Sequence, residues 1–379
     1  MKSRSLIAAA SNLESLRTRW AGFRPDLVFC FCAPDIGLGR HTAARVSAAF
    51  PRSIVIGCST AGEIGVDGTS DGLVSLLGLS FDGTVVRAHR VPLDNHARSA
   101  EAGHLLGNFL LSSGAPAAVL PFIPGLGVDG SAFVHGLRAA LPAATPTIGG
   151  MAADGRRFAQ TFTILGNQVH TDQAIAVGLY GEMLRVGIGS ASGWTSFGPT
   201  RKVTEAHGAV LRTLDRKTAL QLYRDYLGDR AQELPSSGML YPLALVDEGA
   251  PARTGLIRSV TGVDWDTGTL TLAGALAPGS LVRLMHADNQ RLIDGAQLAA
   301  EQVLADSGAQ AAVLLVSCVG RRDVLGDEID DEIEAVRTVF PAGTPLAGFY
   351  SYGEIGPHGD DRLSELHNQS MTIASFSEV

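Results

Sequence analysis

A nine-residue string, GCSTAGEIG at 57–65, returns near the other end of the chain as GFYSYGEIG at 348–356. A repeat of this kind limits the architecture, because each copy brings its own supersecondary unit. Gly57, Thr60, Gly62, Glu63, Ile64 and Gly65 align with Gly348, Ser351, Gly353, Glu354, Ile355 and Gly356. The flanks agree as well. The first copy follows the apolar run DLVFCFCAP (26–34), the helical stretch GRHTAARVSAAF (39–50) and the strand-like IVIGCS (54–59). The second follows AAVLLVSCVG (311–320), LGDEIDDEIEAVRTVF (325–340) and PLAGFYS (345–351). Both read strand, helix, strand, Gly-rich turn. Leu325, Ile329, Ile333, Val336 and Phe340 share one helical face, and the acidic residues from Asp327 to Glu334 mostly cover the solvated one. A third, weaker copy lies between: AAVLPFI (117–123), SAFVHGLRAAL (131–141) and PTIGGMAADG (146–155), which carries Asp154.

Between these units the pattern predicts antiparallel strands. LVSLLGLSF (73–81) and VVRAHRV (85–91) flank Asp82-Gly83, a hairpin signal. A second pair over 160–180 flanks Gly166-Asn167, and 256–286 reads as a small β-meander before a helix at 291–305. Segment 193–208 lacks periodicity and is read as the crossing between halves, with a helix at 218–228 opening the second half. The fold class is α/β, of mixed α+β character. Two related halves, 1–218 and 219–379, are built from strand–helix–strand units with mixed sheets, the meander lying in the second half.

The 379 residues suit two domains, and 45% hydrophobic against 18% charged residues is a globular composition. The net charge of −8 and the lack of a basic stripe argue against nucleic acid as a partner. No apolar run reaches membrane-spanning length and no secretory leader is recognisable, so membrane insertion is not expected and a cytoplasmic location is. Cys30, Cys32, Cys58 and Cys318 show no zinc or disulfide spacing and read as small hydrophobes.

Catalytic signatures such as GxSxG, HExxH and a Walker lysine loop are absent. GLGVDG (125–130) departs from phosphate-loop spacing and reads as a turn into a helix, capped by Asp129 or Ser131. The candidate site is therefore the pair of repeated turns. Their small residues Gly57, Gly62, Gly348 and Gly353 allow close backbone approach, Ser59, Thr60 and Ser351 add hydroxyls, and Glu63 and Glu354 add carboxylates. Each Glu either binds a ligand ammonium or closes its own turn. Ser317, Cys318, Arg321, Tyr350, Tyr352, His367 and Asn368 sit at strand ends in the same units. They form either a recognition pocket or a polar core network. No metal site is indicated and no cofactor is assigned. CxxCH haem attachment is ruled out, and a non-covalent haem b stays open.

GCSTAGEIG, Gly149-Gly150, AIAVGLYG, the 192–223 stretch SGWTSFGPTRKVTEAHGAVLRTLDRKTALQLY, SCVGRRDVLGDEI, GFYSYGEIGP and HNQS together resemble the FIST family over roughly residues 25 to 370. The resemblance implies a FIST N-terminal domain at 1–218 and a FIST C-terminal domain at 219–379. It implies a bacterial or archaeal signal-input protein, not an enzyme, that binds a small ligand such as an amino acid or related metabolite. No output domain is recognisable, so the expectation is a stand-alone sensor acting on a separate partner, a histidine kinase or a cyclic-nucleotide signalling enzyme. One alternative is a haem-binding nitric oxide sensor that regulates a histidine kinase, and a second is an enzyme with Glu63 or Glu354 as general base. The oligomeric state is left open.

Overall fold

The structure is a computed structural model, and it describes residues 1–246, 255–307, 311–359 and 362–379. Its mixed sheets include three of six strands with the same internal order. At the centre of each lies a parallel pair: Leu27–Cys32 with Ile54–Ser59, Ala118–Ile123 with Gly149–Met151, and Ala312–Cys318 with Leu346–Ser351. The first strand of each pair is buried along its whole length, which is why it reads as an unbroken apolar run rather than an alternating one. On one side each pair is extended by an antiparallel strand of its own unit, Val74–Ser80, Gln173–Tyr180 or Met371–Glu378. Lys2–Ala8, Val85–Pro92 and Leu184–Ala191 follow as outer strands.

The other side of each sheet is completed by a hairpin from a different unit. Thr163–Leu165 joins Ile54–Ser59, Glu354–His358 joins Gly149–Met151, and Glu63–Gly65 joins Leu346–Ser351. The exchange is cyclic: the second unit completes the first, the third completes the second, and the first completes the third. The weaker third copy in the sequence is thus a full member of the set. Where the units meet, Phe31, Phe122 and Phe349, one from each, pack with ring centroids 4.5–6.0 Å apart. Within each parallel pair, Gly57, Gly149 and Gly348 lie directly against the main chain of the neighbouring strand. A Cβ on them would lie 1.8 Å from Cys30 O, 1.8 Å from Pro121 O and 2.2 Å from Leu315 O.

The third unit is interrupted after Leu184–Ala191 by an inserted antiparallel sheet spanning residues 195–286, and it resumes with the helix Asn289–Ser307. The segment expected to be a crossing is the 13-residue strand Thr195–His207, which pairs with both Leu281–His286 and Val210–Leu214. Its periodicity is obscured by the irregular pairing between Phe197 and Arg201, around Gly198-Pro199. Residue 218 falls inside this sheet, at the strand Lys217–Thr218 that pairs with Val210–Leu214. The expected meander is present in part. Val260–Asp264 pairs with Thr269–Leu272, but Leu281–His286 joins Thr195–His207 and Leu243–Leu245 instead.

Asp82-Gly83 does not close a hairpin. Val74–Ser80 and Val85–Pro92 belong to different sheets. The link between them is held from a third element: the Glu378 carboxylate accepts from the N–H groups of Asp82, Gly83 and Thr84 at 2.6, 3.0 and 2.8 Å. The helix expected over 325–340 is divided, with Val319–Leu325 followed by a short 3₁₀ turn and Ile329–Val339. Leu325 therefore belongs to the preceding helix.

Candidate functional site

The repeated Gly-Glu turns close on themselves. Glu63 accepts from Thr60 Oγ1 at 2.5 Å and from the Leu73 N–H at 3.0 Å. Glu354 accepts from Ser351 Oγ at 2.7 Å, and from Ser370 Oγ and N–H at 2.9 and 3.2 Å. Each carboxylate thus ties the start of its hairpin to the strand that leaves it. Burial pushes Glu63 up to about 7 and Glu354 up to about 8, against the pull of these donors. In the third copy, Asp154 accepts from the N–H groups of Phe158, Ala159 and Gln160 and from the Tyr352 hydroxyl. Burial pushes Asp154 up, but the hydroxyl and the three N–H groups outweigh it and hold the carboxyl below its ordinary value.

The turns meet at the centre of the molecule through main-chain bonds. Ala61 N–H donates to Tyr350 O and Tyr350 N–H to Gly62 O, both at 2.9 Å. Ala153 N–H donates to Ser59 O at 2.9 Å and Met151 N–H to Gly353 O at 2.8 Å. Ser59 Oγ accepts from Phe162 N–H at 3.1 Å. Gly57, Ser59, Thr60, Gly62, Glu63, Gly348, Ser351, Gly353 and Glu354 are thereby brought together, all of them buried.

Ser317, Arg321 and Tyr350 form a second closed set, around Glu332. Arg321 and Glu332 are both fully buried and pair at 2.6 Å. Tyr350 Oη and Ser317 Oγ donate to the same carboxylate at 2.9 and 3.2 Å. The guanidinium also donates to Leu292 O at 2.6 Å and to Ser192 O. It therefore pins the helix Asn289–Ser307 and the start of the insertion to the body. Glu332 read in the sequence as part of a solvated acidic face, but it is turned inward to meet this arginine. His367 is buried, with Nε2 3.2 Å from Gly356 O, and burial pushes its pKa down to about 3.

Cys318, Tyr352 and Asn368 lie together on the wall of a cavity of about 540 Å³. The cavity opens at the carboxyl ends of Ala118–Ile123 and Ala312–Cys318, the usual place for ligands in α/β sheets. The loop Gly125–Gly130 and Met151 form the second unit's share, and Gly208–Val210 and Thr271–Gly274 close it from the inserted sheet. Sequence reasoning missed Met151, Phe158 and every residue of the insertion, although GLGVDG was a signal for the loop. As expected, Asp129 caps the helix Gly130–Ala140, accepting from Ala132 N–H at 2.9 Å. Phe158 is 51% exposed, has a φ of 47°, and stacks on Tyr352 at 4.9 Å. Left-handed backbone at a bulky residue is costly, and the three N–H bonds to Asp154 hold it there. Burial pushes the Cys318 thiol well up, so it is neutral. Asn368 also borders a second cavity of about 770 Å³, which His367, Arg291 and Trp194 help to line.

Among the described residues, no helix is long and apolar enough to cross a membrane, and no group of three or more His, Cys, Asp and Glu could hold a metal ion. Two uncharacterised mycobacterial proteins resemble the chain. The one from Mycobacterium tuberculosis is 29% identical over 238 residues, 61% of this chain and 61% of its own length. The one from Mycobacterium bovis is 29% identical over 239 residues, 61% of this chain and 60% of its own length. The chain thus spans about three-fifths of the curated relatives it matches. A cyanuric acid hydrolase from A. caulinodans covers the whole chain, and 99% of its own, at 9% identity and a TM-score of 0.34. The FIST N domain matches residues 26–217 and the FIST C domain matches residues 219–357. FIST domains are sensory signal-transduction domains, and with both of them in order along its length this chain belongs to the FIST family.

Proposed function

We propose that the protein is a sensor that holds a small molecule in the 540 Å³ cavity and passes its presence to a separate signalling protein, a histidine kinase or a cyclic-nucleotide enzyme. One observation carries this reading. The floor of the cavity comes from the body, through Cys318, Tyr352 and Asn368, and its opposite wall comes from the inserted sheet. An occupant touches both parts at once, and differential contact with two arrangements is what lets a ligand shift a population. The volume falls within the ordinary range for small-molecule sites.

Two other readings have less in their favour. Glu63 and Glu354 have the raised pKa of a general base, but their oxygens are engaged by the donors of their own turns. The residues lining this cavity give a haem little support. His96 and His207 line the cavity only at its exposed rim, and the Cys318 thiol is held neutral by burial.

The test is a thermal-stability screen with amino acids, heterocycles and other small metabolites. Saturation to 100 times Kd stabilises by about 2.7 kcal/mol. Met151 and Met239 line the cavity, whereas Met1, Met183, Met285 and Met371 do not. The methyl signals of Met151 and Met239 should move with each stabilising compound in a methionine-labelled sample. If stabilising compounds move only the other methionines, the cavity is not the sensory site.

A further inference from the structure

The chemistry of this cavity narrows what it can hold, provided the reading above is correct. The ionisable side chains on its wall are few and badly placed for a charged guest. His96 and His207 lie at the exposed rim. Asp129 spends its carboxylate on the N-terminus of the helix Gly130–Ala140. The floor offers Met151, Cys318, Val319 and Tyr352, none of them charged. An ammonium or carboxylate brought down to that floor would lose its water without gaining a counter-ion, a penalty that excludes it in favour of a neutral group.

The floor does hold one unanswered polar atom. Asn368 is 2% exposed and lines the cavity, and its Oδ1 has no hydrogen-bond partner. Its Nδ2 faces Tyr352 O at 3.5 Å, a long contact, and in this orientation the oxygen is the unpartnered end. A buried acceptor without a donor is costly, and a guest that brings an N–H or O–H recovers that cost. The Phe158–Tyr352 stack at the cavity wall offers a flat aromatic surface beside it.

We propose that the cavity selects an uncharged molecule with a flat apolar body and one N–H or O–H donor, rather than a free zwitterionic amino acid. Three probes separate the parts of this claim: indole, N-methylindole and tryptophan. Indole has the neutral ring and the donor, N-methylindole keeps the ring without the donor, and tryptophan adds the zwitterion. The readout is the titration of the Met151 and Met239 methyl signals in the wild-type protein. Indole should shift both, and N-methylindole should bind about three- to tenfold more weakly, as one lost hydrogen bond implies. Tryptophan should shift neither at matched concentration. In Asn368→Ala, indole and N-methylindole should bind equally. Tryptophan shifting Met151 and Met239 as strongly as indole would overturn the charge argument while leaving the cavity as the sensory site. Equal wild-type affinity for indole and N-methylindole would overturn the role of Asn368. Silence of both methyl groups toward all three probes would overturn the inference as a whole, and silence toward every stabilising metabolite as well would remove the sensory reading too.

Discussion

Glu63 and Glu354 make the same kind of contact at two places. Each holds its hairpin to the departing strand, at Leu73 and at Ser370. The consequence is a pH dependence whose sign can be worked out. The Glu354 carboxyl ordinarily titrates near 4.5 and is pushed up to about 8 in the fold. Between those values the folded chain keeps a proton that the unfolded chain has released. Its contribution to stability is complete below about 4.5 and is lost as pH rises through about 8. His367, pushed down to about 3, works in the opposite direction: its contribution is lost as pH falls from 6.5 toward 3. The difference between Glu354→Gln and wild type cancels that second effect. Between about pH 5 and pH 8 the Tm difference should swing in favour of the variant by roughly 2–4 °C. A difference that stays flat across the range would show that the carboxyl titrates normally.

At the scale of elements, the glycine that opens each repeat sets how closely the paired strands can pack. Gly57, Gly149 and Gly348 let one parallel strand approach the carbonyls of its neighbour, and the approach leaves no room for a methyl group. Gly348→Ala should cost about 1–3 kcal/mol or more, because the atom it meets, Leu315 O, is main chain and cannot swing away. Urea unfolding should show a lower midpoint at an unchanged slope. An unchanged midpoint would mean that the strands can part at little cost. The same scale explains the Asp82-Gly83 misreading. A turn signal reports local backbone preference, but Val74–Ser80 finds its partners in Lys2–Ala8 and Leu27–Cys32, and the Glu378 carboxylate takes up the freed N–H groups.

At the scale of the molecule, the cyclic exchange of hairpins makes the three units interdependent. Leu184–Ala191 pairs with Met371–Glu378, and the second unit's sheet needs Glu354–His358 to complete it. A fragment of residues 1–218 lacks both partners and should show no cooperative thermal transition by calorimetry. The insertion is different. Thr195 and His286 are directly opposed across one strand pair, so the chain leaves the body and returns at nearly the same place. Replacing 195–286 by a short Gly-Ser linker should preserve a cooperative transition for the body and abolish the ligand response. Cooperative unfolding of the fragment, or failure of the linker variant to fold, would contradict this view of the units.

The repeat itself was legible from residue order alone: apolar runs of strand length, an amphipathic period and a glycine where backbones crowd are local signatures. The parallel central pairs, the helices between them and the α/β class follow from those signatures, as does the Asp129 cap. What local signals do not encode is partnership between distant segments. Whether a hairpin completes its own unit or a neighbour's depends on which free edge lies nearest after collapse. Whether Glu332 faces water or Arg321 depends on what packs above it. The candidate cavity belongs to this second kind of fact. It joins Cys318, Tyr352 and Asn368 to a loop near residue 127 and to an inserted sheet, pieces that only the assembled molecule brings within reach of one ligand.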